Sequence, residues 1–264
     1  MSDATTDLAA LSDDVKAALS RLVLSLADGK RMLGIRYSDW LLGAPSIEAG
    51  IAMSSMCQDE WGHARLLYSM LKDLGHDPTI IEQERPAAEY ANPDGLDGDF
   101  TDWAGAVAAI LLMDGALSVA IQGFSEGTFE KARKRGPKMI AEETFHHDMG
   151  AAWFRRFSTA NEDARGRLQA AAQSELPRIL AWLDPQDDPA RLLVDAGLML
   201  DGAELVKRYQ DRVGGLVAAV GVDIASIEAD RSDWDVGRGR GPGAPDADAV
   251  ERARGTRNRM LLVE

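Results

Sequence analysis

The sequence predicts an all-α protein built on a four-helix bundle, and three observations lead to this prediction. Apolar residues recur at intervals of three and four over most of the chain, which is the period of an α-helix. The chain has no run of alternating β-branched residues and no internal repeat of about 20–50 residues. Two long helical segments, a long crossover and two more long helical segments are the connectivity of a ferritin-like bundle, here with additional C-terminal helices.

The first two predicted helices precede the crossover. Residues 12–40 carry apolar side chains at helical spacing, and a Gly-Ala-Pro-Ser turn interrupts them. Ser46 is a good N-cap for a second helix that runs to Leu74, and Gly75 is a typical helix stop. Residues 76–100 hold three prolines and no sustained period, so we predict a long surface crossover there.

The other predicted helices follow the crossover. They span residues 101–134, 138–159, 162–182, 187–213, 215–229 and 246–256. Gly136 and Pro137 predict a turn before the second of these helices, with Pro137 in its first turn. We therefore expect a bundle core with a metal site over 1–160, further helices packed on the same domain over 161–232, and a Gly/Pro-rich tail with a short helix over 233–264.

Composition limits the class of protein. The chain has 264 residues, 45% hydrophobic and 27% charged, which is typical of a globular protein with its own core. Its one cysteine, Cys57, cannot form an internal disulfide, and the acidic first residues lack the pattern of a secretion signal. These features favour a cytoplasmic location. The net charge of −14 argues against a nucleic-acid partner.

One segment, residues 103–124, is long and apolar enough to span a bilayer. It carries a single charge, Asp114, near its middle, and no second segment of this kind exists. A helix that is apolar on all sides is equally typical of the centre of a bundle. We therefore expect a buried helix and no membrane partner.

Two of the four histidines follow a glutamate by three residues. These pairs are Glu60 with His63 and Glu143 with His146, and they fall on the second and fourth long helices. Because residues i and i+3 share a helix face, each pair can present a carboxylate and an imidazole to one metal ion. The other two histidines, His76 and His147, are expected in an exposed turn and at a packing or surface position.

Asp114 is the third element of the predicted site. An acid in the middle of an apolar helix needs a cation, a metal ion or a proton to be buried. The alternative is a hydrogen bond to a serine or to the backbone at a helix contact.

Each Glu-x-x-His motif is preceded by another acid, Asp59 and Glu142. A histidine that binds a metal usually donates its other ring N–H to a carboxylate, and these two acids could accept that hydrogen bond. The alternative is that both are solvated acids on the next helix face.

These motifs resemble the phenylacetic acid catabolic family, which holds the catalytic and structural subunits of bacterial phenylacetyl-CoA epoxidase. Residues 58–63, Gln-Asp-Glu-Trp-Gly-His, are similar to the catalytic subunit's Gln-Asp-Glu-Ala-Gly-His. Residues 142–146 and 113–116 are similar to its Glu-Glu-Ser-Phe-His and Val-Asp-Gly-Ala. Residues 26–40 of the first helix look instead like the structural subunit, and the resemblance covers about residues 20–160.

The resemblance implies a carboxylate-bridged di-iron site that activates O₂. Five of its six protein ligands would be Glu60, His63, Asp114, Glu143 and His146. The sixth, a first-helix glutamate in the catalytic subunit, falls on Lys30. Lys30 would place an ammonium among the carboxylates, or be carbamylated and regain an oxygen ligand, or reach solvent if the register differs. We take Asp114 and Lys30 as the candidate catalytic residues.

Three functions remain open. The first is an oxygenase of the epoxidase type with two iron ions, an Fe/Mn pair or reduced occupancy, acting on an aromatic or acyl-CoA-like small molecule. The second is a non-catalytic structural subunit, and the third is a ferritin-like iron oxidase. The expected partners are a second copy or a related structural subunit, and a reductase component.

Overall fold

The computed structural model describes residues 6–255 and residue 261. Over these residues the chain forms nine α-helices and no β-sheet, which confirms the all-α prediction. The helices are α1 (Asp13–Ser38), α2 (Ile47–Tyr68), α3 (Pro78–Gln83), α4 (Trp103–Glu126), α5 (Glu130–Ala160), α6 (Glu162–Leu183), α7 (Asp188–Asp195), α8 (Gly202–Ala218) and α9 (Ala247–Arg254). Short 3-10 turns occupy several of the connections.

The helices belong to two compact units. Of the described residues, the first unit contains 6–19 and 100–233, and the second contains 20–99 and the C-terminal part from residue 234 on. The division falls within α1, while α2, α4 and α5 each lie in one unit. The predicted boundaries after residues 160 and 232 stay a prediction.

Helix α4 is the centre of the first unit, where it packs against α5, α6 and α8. Small residues allow the close approaches: a Cβ at Gly150 of α5 would lie 2.7 Å from the Ile110 side chain. On the α8 side, the Tyr209 hydroxyl donates a hydrogen bond to the Leu112 carbonyl at 3.1 Å. Within the described chain, α4 is the one helix long and apolar enough to cross a membrane, and 94% of its most apolar window is buried. The prediction of a core helix fits this burial.

The second unit joins α1 and α2 to parts of the chain distant in sequence. Trp61 of α2 packs onto Gly34 of α1, where a Cβ would lie 2.5 Å from the indole ring. Helix α2 begins as predicted, because the Ser46 side chain accepts a hydrogen bond from the Ala49 backbone N–H at 3.2 Å. Gly75, in the left-handed conformation with φ of 85°, follows the 3-10 turn that continues α2.

The crossover differs from its prediction, because part of it is buried. Arg85 and the backbone N–H of Ala91 both donate hydrogen bonds to the carboxylate of Asp28 on α1. Tyr90 and Asn92 are buried beside them. Asp28, a buried acid on a helix distant in sequence, thus holds this part of the crossover. The composition of the crossover itself does not reveal the contact.

The predicted turn at Gly136 and Pro137 is wrong, since both residues lie inside α5. A Cβ at position 136 would overlap the side chain of Ser125 on α4. The glycine therefore permits a close helix contact and does not mark a turn.

The actual break comes earlier, between Glu126 and Glu130, so the predicted helix 101–134 is too long. The backbone N–H of Thr128 donates to the Gly197 carbonyl at 2.9 Å, and this long-range contact stabilises the break.

The predicted helices 187–213 and 215–229 are also wrong. Gly197, with a φ of 68°, separates α7 from α8. Helix α8 then runs on to Ala218, and Gly221 follows in the left-handed conformation. The predicted C-terminal helix 246–256 is present as α9, and its last predicted residue lies outside the described residues.

Candidate metal centre

Three of the predicted ligands come together inside the first unit. Asp114 lies on α4, and Glu143 and His146 lie one turn apart on α5. Each is only 1% exposed, and one ligand atom from each lies within 4.8 Å of the others. His146 Nδ1 is 3.0 Å from Asp114 Oδ2 and 3.4 Å from Glu143 Oε2. The three side chains form a buried set of two carboxylates around one imidazole nitrogen, which we call the triad.

The geometry of the two helices produces the triad. Spacing of three residues places Glu143 and His146 on one face of α5, and that face is buried. Gly150, one turn further along α5, allows the helix to approach Ile110 of α4 closely. The contact brings this face of α5 against the α4 turn that carries Asp114.

Ser118 is a member of the site that the sequence analysis did not identify. Its hydroxyl donates a hydrogen bond to Glu143 Oε2 at 3.0 Å, and the side chain is buried. The available signal was its position four residues after Asp114, which places both side chains on one face of α4. Ser118 orients the Glu143 carboxylate without contributing a carboxylate or an imidazole itself.

The second unit contains the other two predicted ligands and Lys30. Glu60 and His63 share a face of α2, and both are buried. Lys30 of α1 is fully buried as well, and its Nζ lies 3.1 Å from Glu60 Oε1. The ammonium thus forms an ion pair with a predicted metal ligand and does not reach solvent.

Asp28 lies two residues before Lys30 and belongs to a separate buried cluster. Its carboxylate accepts hydrogen bonds from the Tyr68 hydroxyl, the Arg85 guanidinium and the Ala91 backbone N–H. Burial and then the Asp28 carboxylate raise the pKa of Tyr68. Burial acts to lower the pKa of Arg85, but the Asp28 charge outweighs it and the pKa is raised. Arg85 therefore stays a cation that compensates Asp28.

The acids predicted to orient the histidines are both half-buried. Asp59 directly precedes the buried Glu60 on α2, and the Glu142 carboxylate lies 3.6 Å from the Lys138 ammonium one turn earlier on α5. Their roles as hydrogen-bond acceptors for ligand histidines stay a prediction.

The two remaining histidines lie outside the triad. His147 is half-buried, and burial together with the Arg212 charge lowers its pKa. His76 is half-buried rather than exposed, because its ring lies 3.0 Å from the Ser20 hydroxyl.

The donor set of the triad fits a metal ion. Oxygen and imidazole ligands suit iron and manganese and also accept zinc. Two carboxylates buried this close together are stabilised by a cation, and a divalent ion held by Asp114, Glu143 and His146 would supply one. Lys30 does not fit the carboxylate position of a six-ligand pair of metal ions, because an ammonium has no lone pair for a metal.

The fold and the triad together define a class: an all-α, ferritin-like protein with a buried carboxylate–histidine cluster that could hold a metal. The model of the family described as "Phenylacetic acid catabolic protein" matches residues 1–238. The chain belongs to this family, as its motifs predicted.

Similar solved structures include "Protein 19 with aldehyde deformylating oxidase activity" from Synechococcus. The two chains are 17% identical, with a TM-score of 0.60 over 81% of this chain and 94% of that one. At this identity the likeness supports the ferritin-like fold alone. No curated protein matches the sequence.

Proposed function

We propose that this protein is an iron-dependent oxygenase of the phenylacetyl-CoA epoxidase type. The observation that carries the proposal is the triad, in which His146 Nδ1 faces two buried carboxylates in a protein of this family. We propose an aromatic or acyl-CoA-like substrate, following the family resemblance, and a cytoplasmic location.

The side chains of the first unit have distinct tasks. Asp114, Glu143 and His146 would hold the ion, and Ser118 keeps the Glu143 carboxylate in one orientation through its hydrogen bond. Iron, when bound, supplies the binding and activation of O₂. The burial of all three ligands keeps bulk water from the centre and strengthens their electrostatic interactions.

The reaction also requires a source of electrons. Transfer of one oxygen atom from O₂ to the substrate leaves the other to form water, which takes up two electrons and two protons. We propose a reductase component as the electron donor. We further propose that the protein assembles with a second copy or with a related structural subunit.

The test follows labelled oxygen. Protein produced with iron is supplied with ¹⁸O₂, phenylacetyl-CoA and a chemical or enzymatic electron donor, and the product is analysed by mass spectrometry. We expect one ¹⁸O atom per product molecule for the wild type and none for His146→Ala. His147→Ala, one position along the same helix and outside the triad, is the matched control and should retain the activity. Iron-loaded wild type that forms no labelled product would contradict the proposal.

A second candidate function is a non-catalytic structural subunit. The Lys30–Glu60 ion pair favours it, because it engages a predicted ligand without a metal. This candidate predicts well below one metal ion per chain after loading with iron. A parallel assay with iron and O₂ but no organic substrate detects an iron oxidase, which would consume O₂ under these conditions.

A further inference from the structure

Lys30 of α1 falls, as the family resemblance implies, at the position where the catalytic subunit has a first-helix glutamate. Its side chain is fully buried, and the flanking positions Gly29, Met32 and Leu33 are buried as well. A buried lysine is stable as a cation only beside a compensating charge, and Glu60 Oε1 at 3.1 Å supplies it. The Lys30–Glu60 ion pair is therefore part of the buried core of the second unit.

Helix α1 has no other carboxylate to offer. Its acidic residues are Asp13 and Asp14 in the first turn and Asp28. Asp28 is held by the Tyr68 hydroxyl, by Arg85 and by a backbone N–H, so its oxygens are already engaged as acceptors. Arg85 also neutralises its charge. A metal ion would have to break this cluster to gain Asp28 as a ligand.

The charges of the two sets of residues lead to a definite number of ions. In the second unit, Lys30 and Glu60 cancel, so this pair requires no metal. In the first unit, Asp114, Glu143 and His146 each offer one ligand atom within 4.8 Å of the others, and this arrangement suits one metal ion. A divalent ion bound at Glu60 would be buried beside the Lys30 ammonium, and two positive charges buried so close together are costly.

From these observations we infer that the protein binds one metal ion per chain, at the triad, and that the Lys30 ammonium keeps Glu60 from holding a second. The triad of Asp114, Glu143 and His146 holds the ion. The ammonium form is favoured over a carbamylated lysine, because a carbamate would carry the same charge as Glu60 at hydrogen-bond distance. The inference rests on one part of the proposed function, namely that the triad binds a metal, and it is independent of the substrate.

Metal stoichiometry tests the inference directly. Metal-free protein is titrated anaerobically with Fe(II), freed of unbound iron and subjected to elemental analysis. We expect close to one iron per chain for the wild type and a value approaching two for Lys30→Glu, which supplies the missing carboxylate. Lys207→Glu makes the same charge change at an exposed position on α8 and should stay at one.

Several outcomes would overturn the inference. They are a wild type that holds two ions, a folded Lys30→Glu that stays at one, and a wild type that reaches two only with bicarbonate, which would indicate a carbamate. Circular dichroism checks the fold of each variant, and the wild-type value decides alone if Lys30→Glu does not fold. If the protein binds one ion but transfers no ¹⁸O, the proposed oxygenase is contradicted and the inference stands. If it binds two ions and transfers ¹⁸O, the inference is contradicted and the proposed oxygenase stands.

Discussion

At the scale of single residues, the Ser118–Glu143 hydrogen bond shows how a small side chain can orient a proposed metal ligand. Ser118→Ala removes the donor that holds Glu143 Oε2 and leaves the buried oxygen without it. Loss of such an orienting hydrogen bond typically weakens metal binding by about 10–100-fold. We expect that decrease in an Fe(II) titration of the variant.

Ser125→Ala is the matched control for this prediction. It makes the same change on the same helix, where the hydroxyl bonds only the Ile121 carbonyl among the contacts described, and it should bind iron as the wild type does. Equal affinities for Ser118→Ala and Ser125→Ala would remove Ser118 from the site.

The triad was predictable at this scale and Ser118 was not. Glu143 and His146 stand out because histidine is rare in the chain, and Asp114 stands out because it interrupts an apolar helix. Serine is common on helix faces, so only the observed distance to Glu143 distinguishes Ser118. The burial of Lys30 likewise depends on its pairing with Glu60, a contact between residues 30 positions apart.

At the scale of helices, the contact between α4 and α5 sets the geometry of the triad. Gly150→Ala would place a methyl group 2.7 Å from the Ile110 side chain and 3.2 Å from the Leu111 backbone nitrogen. Over-packing of this kind costs about 1–3 kcal/mol, and we expect a lower free energy of unfolding in chemical denaturation.

Gly166→Ala serves as the comparison for Gly150→Ala. A Cβ at Gly166 on α6 would meet nothing within 4 Å, so alanine should stabilise the helix by about 0.4–1 kcal/mol. If both substitutions change the free energy of unfolding in the same direction, the close approach of α5 to α4 at Gly150 does not depend on the absence of a side chain there.

The sequence predicted most helices but not the breaks that depend on tertiary contacts. Ser46 and Gly75 act locally and were assigned correctly. The Gly136-Pro137 pair is typical of a turn, yet the missing side chain at Gly136 makes room for Ser125 on a neighbouring helix. The break after Glu126 depends on a hydrogen bond to Gly197, some 70 positions away, which no local pattern could indicate.

At the scale of the whole molecule, arginines counter the acidic composition by tying distant segments together within the second unit. Arg36 of α1 donates to Asp246 at 2.7 Å, and Asp246 also caps α9 by accepting from the Ala249 N–H. Arg240 donates a hydrogen bond to the Asp97 carboxylate. Arg31 donates one to the Ala253 carbonyl. The C-terminal segment is thus held largely by charged hydrogen bonds.

This arrangement predicts a pH-dependent contribution to stability. Burial acts to raise the pKa of Asp246, but hydrogen bonds from Arg36 and Ala249 outweigh it and lower the pKa. A lowered pKa in the folded state means that the stabilisation is complete above the ordinary pKa of an aspartate. It is lost as the pH falls through the lowered value.

Asp246→Asn isolates this charge, because asparagine keeps the helix cap. We expect the wild type to be more stable than the variant by no more than about 1 kcal/mol at neutral pH, since the side chain is partly solvated. The difference should shrink in acid. Thermal unfolding from pH 7 to pH 3 measures it, and a difference independent of pH would contradict the assignment.

The central claim is that the triad binds iron, and anomalous diffraction at the iron absorption edge tests it most directly. Crystals of iron-loaded protein should show an anomalous peak at the triad, among the side chains of Asp114, Glu143 and His146. A well-occupied iron peak elsewhere, or no peak at the triad in protein that retains iron, would contradict the account.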